Sequence, residues 1–230
     1  MDESSSSLMM NKFDSIFKLT KMLHHLELSK TPMNIALQII PRRVFAFRNF
    51  FQQEECKEII ARAEKAGFQE APVNMGKTFG EIMQKSIRNN TRIVYDDFEF
   101  SHQIFEKTKP LIETEESLQF QEKGMWKAVS MNERFRFYKY TTGQKFVKHY
   151  DGTVFIHSRL KSIFTFLIYL NQNFTGGETK LYNEDLNEFV IKPETGLAVA
   201  FLHQTLHESV PIETGTKYVL RTDIMYEHKD

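Results

Sequence analysis

The chain has 230 residues, 41% of them hydrophobic, and its 30 basic side chains are balanced by 30 acidic ones. This length suffices for one sizeable hydrophobic core. The zero net charge creates no field that would attract nucleic acid or an anionic membrane, so neither partner is expected. No apolar run approaches the roughly 20 residues that span a bilayer, and the sequence therefore predicts a soluble protein.

Cys56 is the only cysteine, which excludes a disulfide within the chain. The first residues, Met1-Asp2-Glu3 followed by four serines, are acidic and polar and do not resemble a secretory signal. We therefore expect a reducing compartment, the cytoplasm or alternatively the nucleus, and not secretion.

Residues 1–40 show no domain of their own and are predicted to form an N-terminal tail. Apolar residues at near-helical spacing between Asn11 and Leu28 predict an amphipathic helix within it, docked on the rest of the protein. Residues 41–230 are predicted to form a single domain, because no linker rich in glycine, serine or proline interrupts them.

The first elements of this domain are expected to support one side of it. The pattern predicts a strand at 44–51, a helix at 54–66 that ends at Gly67, and a second helix from Ser101 to about Lys109. The polar segment 88–92 could bind an acidic group of a substrate, but solvation is the favoured interpretation.

Polar and aromatic residues alternate in the strand predicted at 132–140. If Tyr140 faces a functional site, Tyr138 and Arg136 face it too, whereas Phe135 and Phe137 project from the opposite face, toward a helix layer. Arg136 is therefore a candidate substrate contact, and a solvent-facing row of arginines is the alternative.

Three side chains in the C-terminal half form a candidate metal site. His149 and Asp151 lie two residues apart at a predicted strand end, so they project from one face. His207 follows an apolar run, and a sheet curled into a barrel can bring it close to them. Two imidazoles and a carboxylate on one side of a metal suit ferrous iron and leave ligand positions open. The sequence therefore predicts an iron oxygenase.

A resemblance covers the chain from about Val44 to Tyr226. It is carried by Tyr140-x-x-Gly143-x-x-Phe146-x-x-His149-x-Asp151, Ile168-Tyr169-Leu170-Asn171, Gly176-Gly177-Glu178-Thr179, Pro193-x-x-Gly196 and His207-x-x-x-Pro211-x-x-x-Gly215-x-Lys217-Tyr218. In this order the blocks resemble the prolyl 4-hydroxylase branch of the Fe(II)/2-oxoglutarate dioxygenases. The resemblance implies a mainly β fold with flanking α-helices around a double-stranded β-helix (jelly-roll, cupin-like) core, in which His149, Asp151 and His207 bind Fe(II).

The resemblance also implies 2-oxoglutarate and O2 as co-substrates, with ascorbate as an accessory reductant. A basic side chain about ten residues after the last histidine would bind the far carboxylate of 2-oxoglutarate. The family pattern favours Lys217, whereas the guanidinium of Arg221 is the better chemical match to a carboxylate. A regular strand puts both on one face, so the choice stays open. Tyr140 and Tyr169 match tyrosines that line the co-substrate pocket of related enzymes.

The reaction implied is hydroxylation of an unactivated C–H bond, with succinate and CO2 as co-products. Asp151 favours hydroxylation over halogenation, because related halogenases have a small residue at that position. By family analogy, a prolyl or other residue of a protein or peptide is the expected substrate. A free amino acid or another small metabolite is the alternative.

Two other classes of protein are disfavoured. His203-x-x-x-His207 has the spacing of two zinc ligands on a helix, but Gln204 occupies the position where a metallopeptidase needs its glutamate. A catalytically silent jelly-roll that binds or senses a ligand is the non-enzymatic alternative, and the complete set of metal ligands argues against it. His203 is predicted to be a rim residue or a neighbour of the metal ligands.

Overall fold

The computed structural model describes residues 37–40, 42–74, 80–114 and 125–229. Its helices are α1 (Gln53–Ala66) and α2 (Phe98–Thr114). The strands, in chain order, are β1 (Leu37–Ile40), β2 (Val44–Phe47), β3 (Gln69–Glu70), β4 (Val73–Asn74), β5 (Glu81–Ile82), β6 (Thr91–Asp96), β7 (Met125–Met131), β8 (Arg134–Thr141), β9 (Phe146–His149), β10 (Phe155–His157), β11 (Leu160–Tyr169), β12 (Thr175–Gly176), β13 (Thr179–Tyr182), β14 (Glu188–Ile191), β15 (Ala198–Leu202), β16 (Leu206–Ser209), β17 (Ile212–Thr214) and β18 (Thr216–Lys229). The helix predicted between Asn11 and Leu28 lies outside the described residues, and the domain boundary near residue 40 stays a prediction.

Two antiparallel sheets form the body of the protein. The large sheet has the order β1-β2-β15-β11-β18-β8-β6-β3, with β10 added to β11 and β7 to β18, and the small sheet has the order β14-β13-β16-β9. Between β8 and β18 the chain passes repeatedly from one sheet to the other, as in a jelly-roll. The predicted jelly-roll core with flanking helices is confirmed. Among the described residues, neither helix is long and apolar enough to cross a lipid bilayer.

Strand β11 shows how the large sheet is buried on both faces. Phe164 and Phe166 belong to the core beneath the two helices. Leu167 and Tyr169 belong to a second core, between the two sheets. Because a strand covered on both faces has few positions open to water, its sequence is apolar nearly throughout.

The predicted elements differ from the observed ones mainly at their ends. Helix α1 agrees within one residue and stops at Gly67, whose φ is +85°. Helix α2 begins before Ser101, because the Asp97 carboxylate accepts a hydrogen bond from the Phe100 N–H at 2.9 Å. The strand predicted at 44–51 ends at Phe47, since the chain then turns with Asn49 at a φ of +56°.

Backbone packing explains why the motif block Pro193-x-x-Gly196 ends in glycine. Gly196 has a φ of +79°, its N–H donates to the Tyr169 carbonyl at 2.8 Å, and its own carbonyl accepts from the Phe51 N–H at 3.2 Å. A Cβ at this position would collide with the Phe51 carbonyl oxygen. The turn before β15 therefore requires glycine both for its conformation and for this close approach.

We expect Gly196→Ala to lower the free energy of unfolding by about 3 kcal/mol, since a left-handed conformation costs about 1–2 kcal/mol and overpacking adds about 1–3 kcal/mol. Gly143→Ala is the matched control, because Gly143 has the same φ of +79° as Gly196 but a Cβ added there would meet no atom within 4 Å. The stability lost in this control should be about 1–2 kcal/mol. Urea unfolding of both variants tests this, and equal losses would contradict the collision at Phe51.

Candidate active site

The three predicted metal ligands meet where the small sheet faces the large one. His149 ends β9 and His207 lies on β16, and the two residues are direct partners across these strands. Asp151 follows two residues after His149, with its Oδ1 3.9 Å from His149 Nε2 and its Oδ2 3.6 Å from His207 Nε2. The three donor atoms lie within 4.8 Å of one another, which is close enough for one ion to reach all of them.

Backbone hydrogen bonds orient both imidazoles for metal binding. His149 Nδ1 lies 2.7 Å from the Val147 carbonyl, and His207 Nδ1 lies 2.9 Å from the Thr205 carbonyl. Because a carbonyl oxygen only accepts, Nδ1 carries the proton in each neutral ring. The Nε2 atoms that face Asp151 are therefore left with free electron pairs, the form that ligates a metal.

Burial keeps these imidazoles neutral. It lowers the pKa of His149 to about 3, with the neighbouring His207 as the second cause, and it lowers the pKa of His207 as well. Burial alone would raise the pKa of Asp151, but Arg221 and then the two histidines hold that pKa well below its ordinary value. Two neutral nitrogen donors and one carboxylate fit the needs of Fe(II).

A chain of hydrogen bonds fixes the Asp151 carboxylate from one side. Thr165 donates to Asp151 Oδ2 at 2.6 Å, so its hydroxyl must accept the bond from His203 Nδ1 at 2.9 Å. His203 Nε2 then accepts from the Ser162 hydroxyl at 2.8 Å. All the donors and acceptors along this chain are matched, which holds the carboxylate in one orientation. His203 is thus buried beside the candidate metal ligands, which is one of the two positions predicted for it, and it is not a rim residue.

A buried ion-pair network fixes Asp151 from the other side. Arg221 Nη1 lies 2.9 Å from Asp151 Oδ1, and Arg221 Nη2 lies 3.2 Å from Asp223 Oδ1. Arg136 lies 3.5 Å from the second oxygen of Asp223. The two arginines are direct partners on neighbouring strands, and Asp223 separates their like charges.

A cavity extends from the candidate metal ligands along the inside of the large sheet. Arg221 lines it beside Asp151, and Lys217 lines it farther along β18. Lys217 is buried, and its Nζ donates to the Gly177 carbonyl at 2.6 Å and to the Ser209 hydroxyl at 2.9 Å. The same Nζ lies 5.3 Å and 5.6 Å from the ring centres of Tyr140 and Tyr169. Burial lowers the pKa of Lys217 to about 7.

Arg88 contradicts the prediction of a solvated patch. The residue is 4% exposed, and its guanidinium lies 4.5 Å from the Tyr138 ring centre and 4.6 Å from that of Phe146. Its Nε donates to Asn90 at 2.7 Å. Arg88 and Asn90 are buried because the segment runs beside β9, where the Ile87 carbonyl accepts a hydrogen bond from the Val147 N–H.

The structure brings the predicted ligands and co-substrate residues together in one cavity, lined by His149, Asp151, His207, Lys217, Arg221, Tyr140 and Tyr169 among others. Arg136 is not among the described residues that line the cavity. It contacts Asp223, which in turn contacts the lining residue Arg221. Phe135 and Phe137 pack on the helix side, as predicted. Thr165 and Asp223 were missed. The signal for Thr165 was a polar residue within the apolar part of β11, whereas Asp223 follows the polar residues Arg221 and Thr222 in β18 and had no such signal.

A family model described as the 2OG-Fe(II) oxygenase superfamily matches residues 135–222. A search of curated protein sequences finds no match to the chain. The fold is similar to that of a Pseudomonas putida prolyl-4-hydroxylase, with a TM-score of 0.59 and 15% identity over 84% of this chain and 96% of the other.

Two further solved structures have a similar fold. One is a prolyl hydroxylase from Trichoplax adhaerens in complex with a peptide fragment of the hypoxia inducible factor oxygen degradation domain, with a TM-score of 0.60, 15% identity, and coverage of 95% of this chain and 91% of the other. The other is a viral collagen prolyl hydroxylase from Paramecium Bursaria Chlorella virus-1 in a 2OG complex. It has a TM-score of 0.54 and 19% identity, over 80% of this chain and 96% of the other.

The low pKa of His149 predicts an acid-sensitive protein when metal is removed. The unfolded chain takes up a proton at His149 near pH 6.5, whereas the folded chain does so only near pH 3, so stability falls as the pH drops through this window. We expect His149→Gln to reduce the loss of stability between pH 7 and pH 5 by about 2 kcal/mol. Urea unfolding in the presence of a chelator measures this. His102→Gln, on the exposed side of α2, is the control, and an unchanged pH dependence in His149→Gln would refute the assignment.

Proposed function

Since residues 135–222 carry an oxygenase domain of the 2OG-Fe(II) superfamily, we propose that this dioxygenase hydroxylates a prolyl or other residue of a protein or peptide. Enzymes of the superfamily use Fe(II), 2-oxoglutarate and O2. The reaction balances when one oxygen atom of O2 enters the substrate C–H bond and the other enters succinate, while 2-oxoglutarate loses CO2. The single observation that carries the proposal is the cluster of His149, Asp151 and His207 at one end of a cavity that also contains a buried cation.

In this proposal His149, Asp151 and His207 bind Fe(II), which supplies the oxidative chemistry when 2-oxoglutarate and O2 are present. The protein itself supplies orientation. The Val147 and Thr205 carbonyls hold the two imidazoles with Nε2 toward the metal. Thr165 and Arg221 hold the Asp151 carboxylate from either side.

Lys217 is our proposed anchor for the far carboxylate of 2-oxoglutarate. Arg221 already contacts Asp151 at 2.9 Å, so a carboxylate bound there would lie at the metal and not at the other end of a five-carbon molecule. Lys217 is four residues away, or about 13 Å along a strand, and faces the same cavity. Tyr140 and Tyr169 flank its ammonium group and would form the walls of the co-substrate pocket.

A polypeptide is the proposed substrate for two reasons. The similar Trichoplax adhaerens enzyme was solved with a peptide fragment. In this chain, Tyr150 and Phe155 are large side chains with 62% and 70% exposure, close in sequence to the cavity residue Asp151, and clustered exposed apolar groups are typical of binding surfaces. Arg136 remains a proposed substrate contact, and a free amino acid or small metabolite remains the alternative substrate. We propose a cytoplasmic location and a role for ascorbate as reductant.

The proposal predicts a keto-acid complex and turnover. Anaerobic titration of the purified protein with Fe(II) and 2-oxoglutarate should give a weak visible charge-transfer band, and O2 should then produce succinate. His149→Ala and Asp151→Ala should each abolish both signals, whereas His102→Ala should retain them. A band absent from the wild-type protein, although iron binds, would refute the co-substrate assignment and favour a binding module.

The substrate class is tested in the same assay. A set of proline-containing peptides and free L-proline are supplied in parallel, with and without ascorbate, and mass spectrometry detects the addition of one oxygen atom. The proposal is supported if a peptide accelerates succinate formation and itself gains one oxygen atom in the assay. If free proline is oxidised and no peptide is, the proposed peptide substrate is wrong and a small molecule takes its place.

The pKa of Lys217 predicts a pH-dependent affinity for 2-oxoglutarate. Lys217 loses its charge as the pH rises through about 7, so the dissociation constant at saturating iron should increase about tenfold or more between pH 6 and pH 8.5. Lys217→Arg should remove this dependence, because a guanidinium stays charged across the range. The same increase in the variant would show that another group is responsible.

A further inference from the structure

We propose that Arg88 is a positioning residue for the candidate metal ligand His149, on which it acts through the ring of Phe146. This inference rests on the proposed function, because it takes His149 as a metal ligand. Arg88 itself contacts neither the metal nor the substrate. Its role is to keep the plane of the His149 imidazole fixed before the metal arrives.

Four flat groups lie in a row beside the candidate metal site. The Phe146 ring stacks on the His149 imidazole, with 3.5 Å between the ring centres and 18° between the planes. Because the imidazole covers that face of Phe146, the Arg88 guanidinium, 4.6 Å from the Phe146 ring centre, lies over the other face. The Tyr138 ring centre lies 4.5 Å from the same guanidinium and closes the row. Arg88 thus fills the space between two aromatic rings, each of which attracts its charge.

A bulge in β9 explains how Phe146 reaches His149. Side chains three residues apart on a regular strand project from opposite faces. His149 pairs with His207 on β16, whereas Phe146, three residues earlier on β9, pairs only two residues further along β16, with Ser209. The extra residue on β9 returns the Phe146 side chain to the face that carries His149.

The segment that carries Arg88 is attached to β9 beside this bulge. Arg88 forms an antiparallel bridge with Phe146. The Asn89 N–H donates to the Lys145 carbonyl at 3.4 Å, and the Lys145 N–H donates to the Asn89 side chain at 2.7 Å. The Arg88 side chain is buried, and its Nε donates to Asn90. The guanidinium therefore has a defined position against the Phe146 ring.

His149 needs this support more than His207 does. Its side chain is 19% exposed, against 7% for His207. In each ring, the hydrogen bond from Nδ1 to a backbone carbonyl fixes one atom and leaves the ring free to tilt about that atom. The His207 ring is also confined by Phe201, at 4.6 Å between ring centres. For His149, the flat contact with Phe146 prevents the tilt, and Arg88 occupies the space into which Phe146 would otherwise move.

Co(II) bound to the purified protein without keto acid tests this role. Each imidazole that binds the paramagnetic metal gives one strongly shifted, exchangeable N–H proton signal, and the His149 signal is the one with an Overhauser effect to the Phe146 ring. Arg88→Gln should shift and broaden the His149 signal and leave the His207 signal unchanged. The dissociation constant for Co(II) should rise about tenfold, as is usual when a group that orients a metal ligand is lost.

Two further variants serve as controls. Arg92→Gln is the matched control, because Arg92 belongs to the same part of the chain but pairs with Glu81 at 2.6 Å. It should change neither the proton signals nor the dissociation constant. Arg88→Lys keeps the buried charge and so protects the fold, but an ammonium group lacks the flat surface of a guanidinium. It should therefore shift the His149 signal in the same direction as Arg88→Gln does.

A double-mutant cycle tests whether Arg88 acts through Phe146. Phe146→Leu removes the flat contact with His149 and should by itself raise the Co(II) dissociation constant about tenfold. In the Phe146→Leu protein, Arg88→Gln should then add less than about twofold, because residues that act through one contact are not additive.

Three results would overturn the inference. The His149 signal and the Co(II) constant could stay at their wild-type values in Arg88→Gln, both histidine signals could move equally, or Arg88→Gln could keep its full effect in the Phe146→Leu protein. A wild-type protein that binds no Co(II) would refute the metal site of the proposed function and the inference with it. A wild-type protein that binds Co(II) but gives no keto-acid band would refute the proposed function alone, because the Co(II) measurements at His149 do not involve the keto acid.

Discussion

The buried carboxylate of Asp151 is the charge around which the site is organised. Moving a carboxylate from water into the interior costs several kcal/mol unless partners compensate for it. Asp151 follows β9 of the small sheet, whereas its partners lie on two strands of the large sheet, Thr165 on β11 and Arg221 on β18. The carboxylate is therefore stabilised only when both sheets have formed and faced each other. Formation of the candidate metal site and formation of the jelly-roll are, for this reason, parts of one folding event.

The chemistry of the cavity depends on its low polarity. Burial keeps the imidazoles of His149 and His207 neutral, and it brings the pKa of Lys217 down to about 7. Neutral nitrogen donors bind a metal readily, while a cation with few polar partners gains strongly from an incoming carboxylate. The same burial that stabilises the fold thus prepares both ends of the cavity for ligands. An open, hydrated cleft with these residues would lack both properties.

Several residues in the motif blocks serve the backbone and not the chemistry. Gly196 allows the turn before β15 to approach Phe51, and a Cβ on Gly176 would collide with the Pro211 carbonyl. The Gly177 carbonyl accepts a hydrogen bond from Lys217. These glycines let the strand connections pass close to the cavity, so the spacing of the motif blocks reflects the path of the chain around the site as much as the ligands themselves.

The sequence by itself determined the fold class, the candidate ligands His149, Asp151 and His207, and the face of β18 that carries Lys217 and Arg221. These predictions depended on local periodicity and ordered motifs, which decide the side from which a residue projects. Only the tertiary structure placed Arg221 against Asp151 and Lys217 away from it, and only it buried Arg88 between two aromatic rings. The physical reason is strand register. Neighbours across a sheet, and therefore charge partners and burial, depend on which strands pair and where, and alternation along one strand carries no information about either.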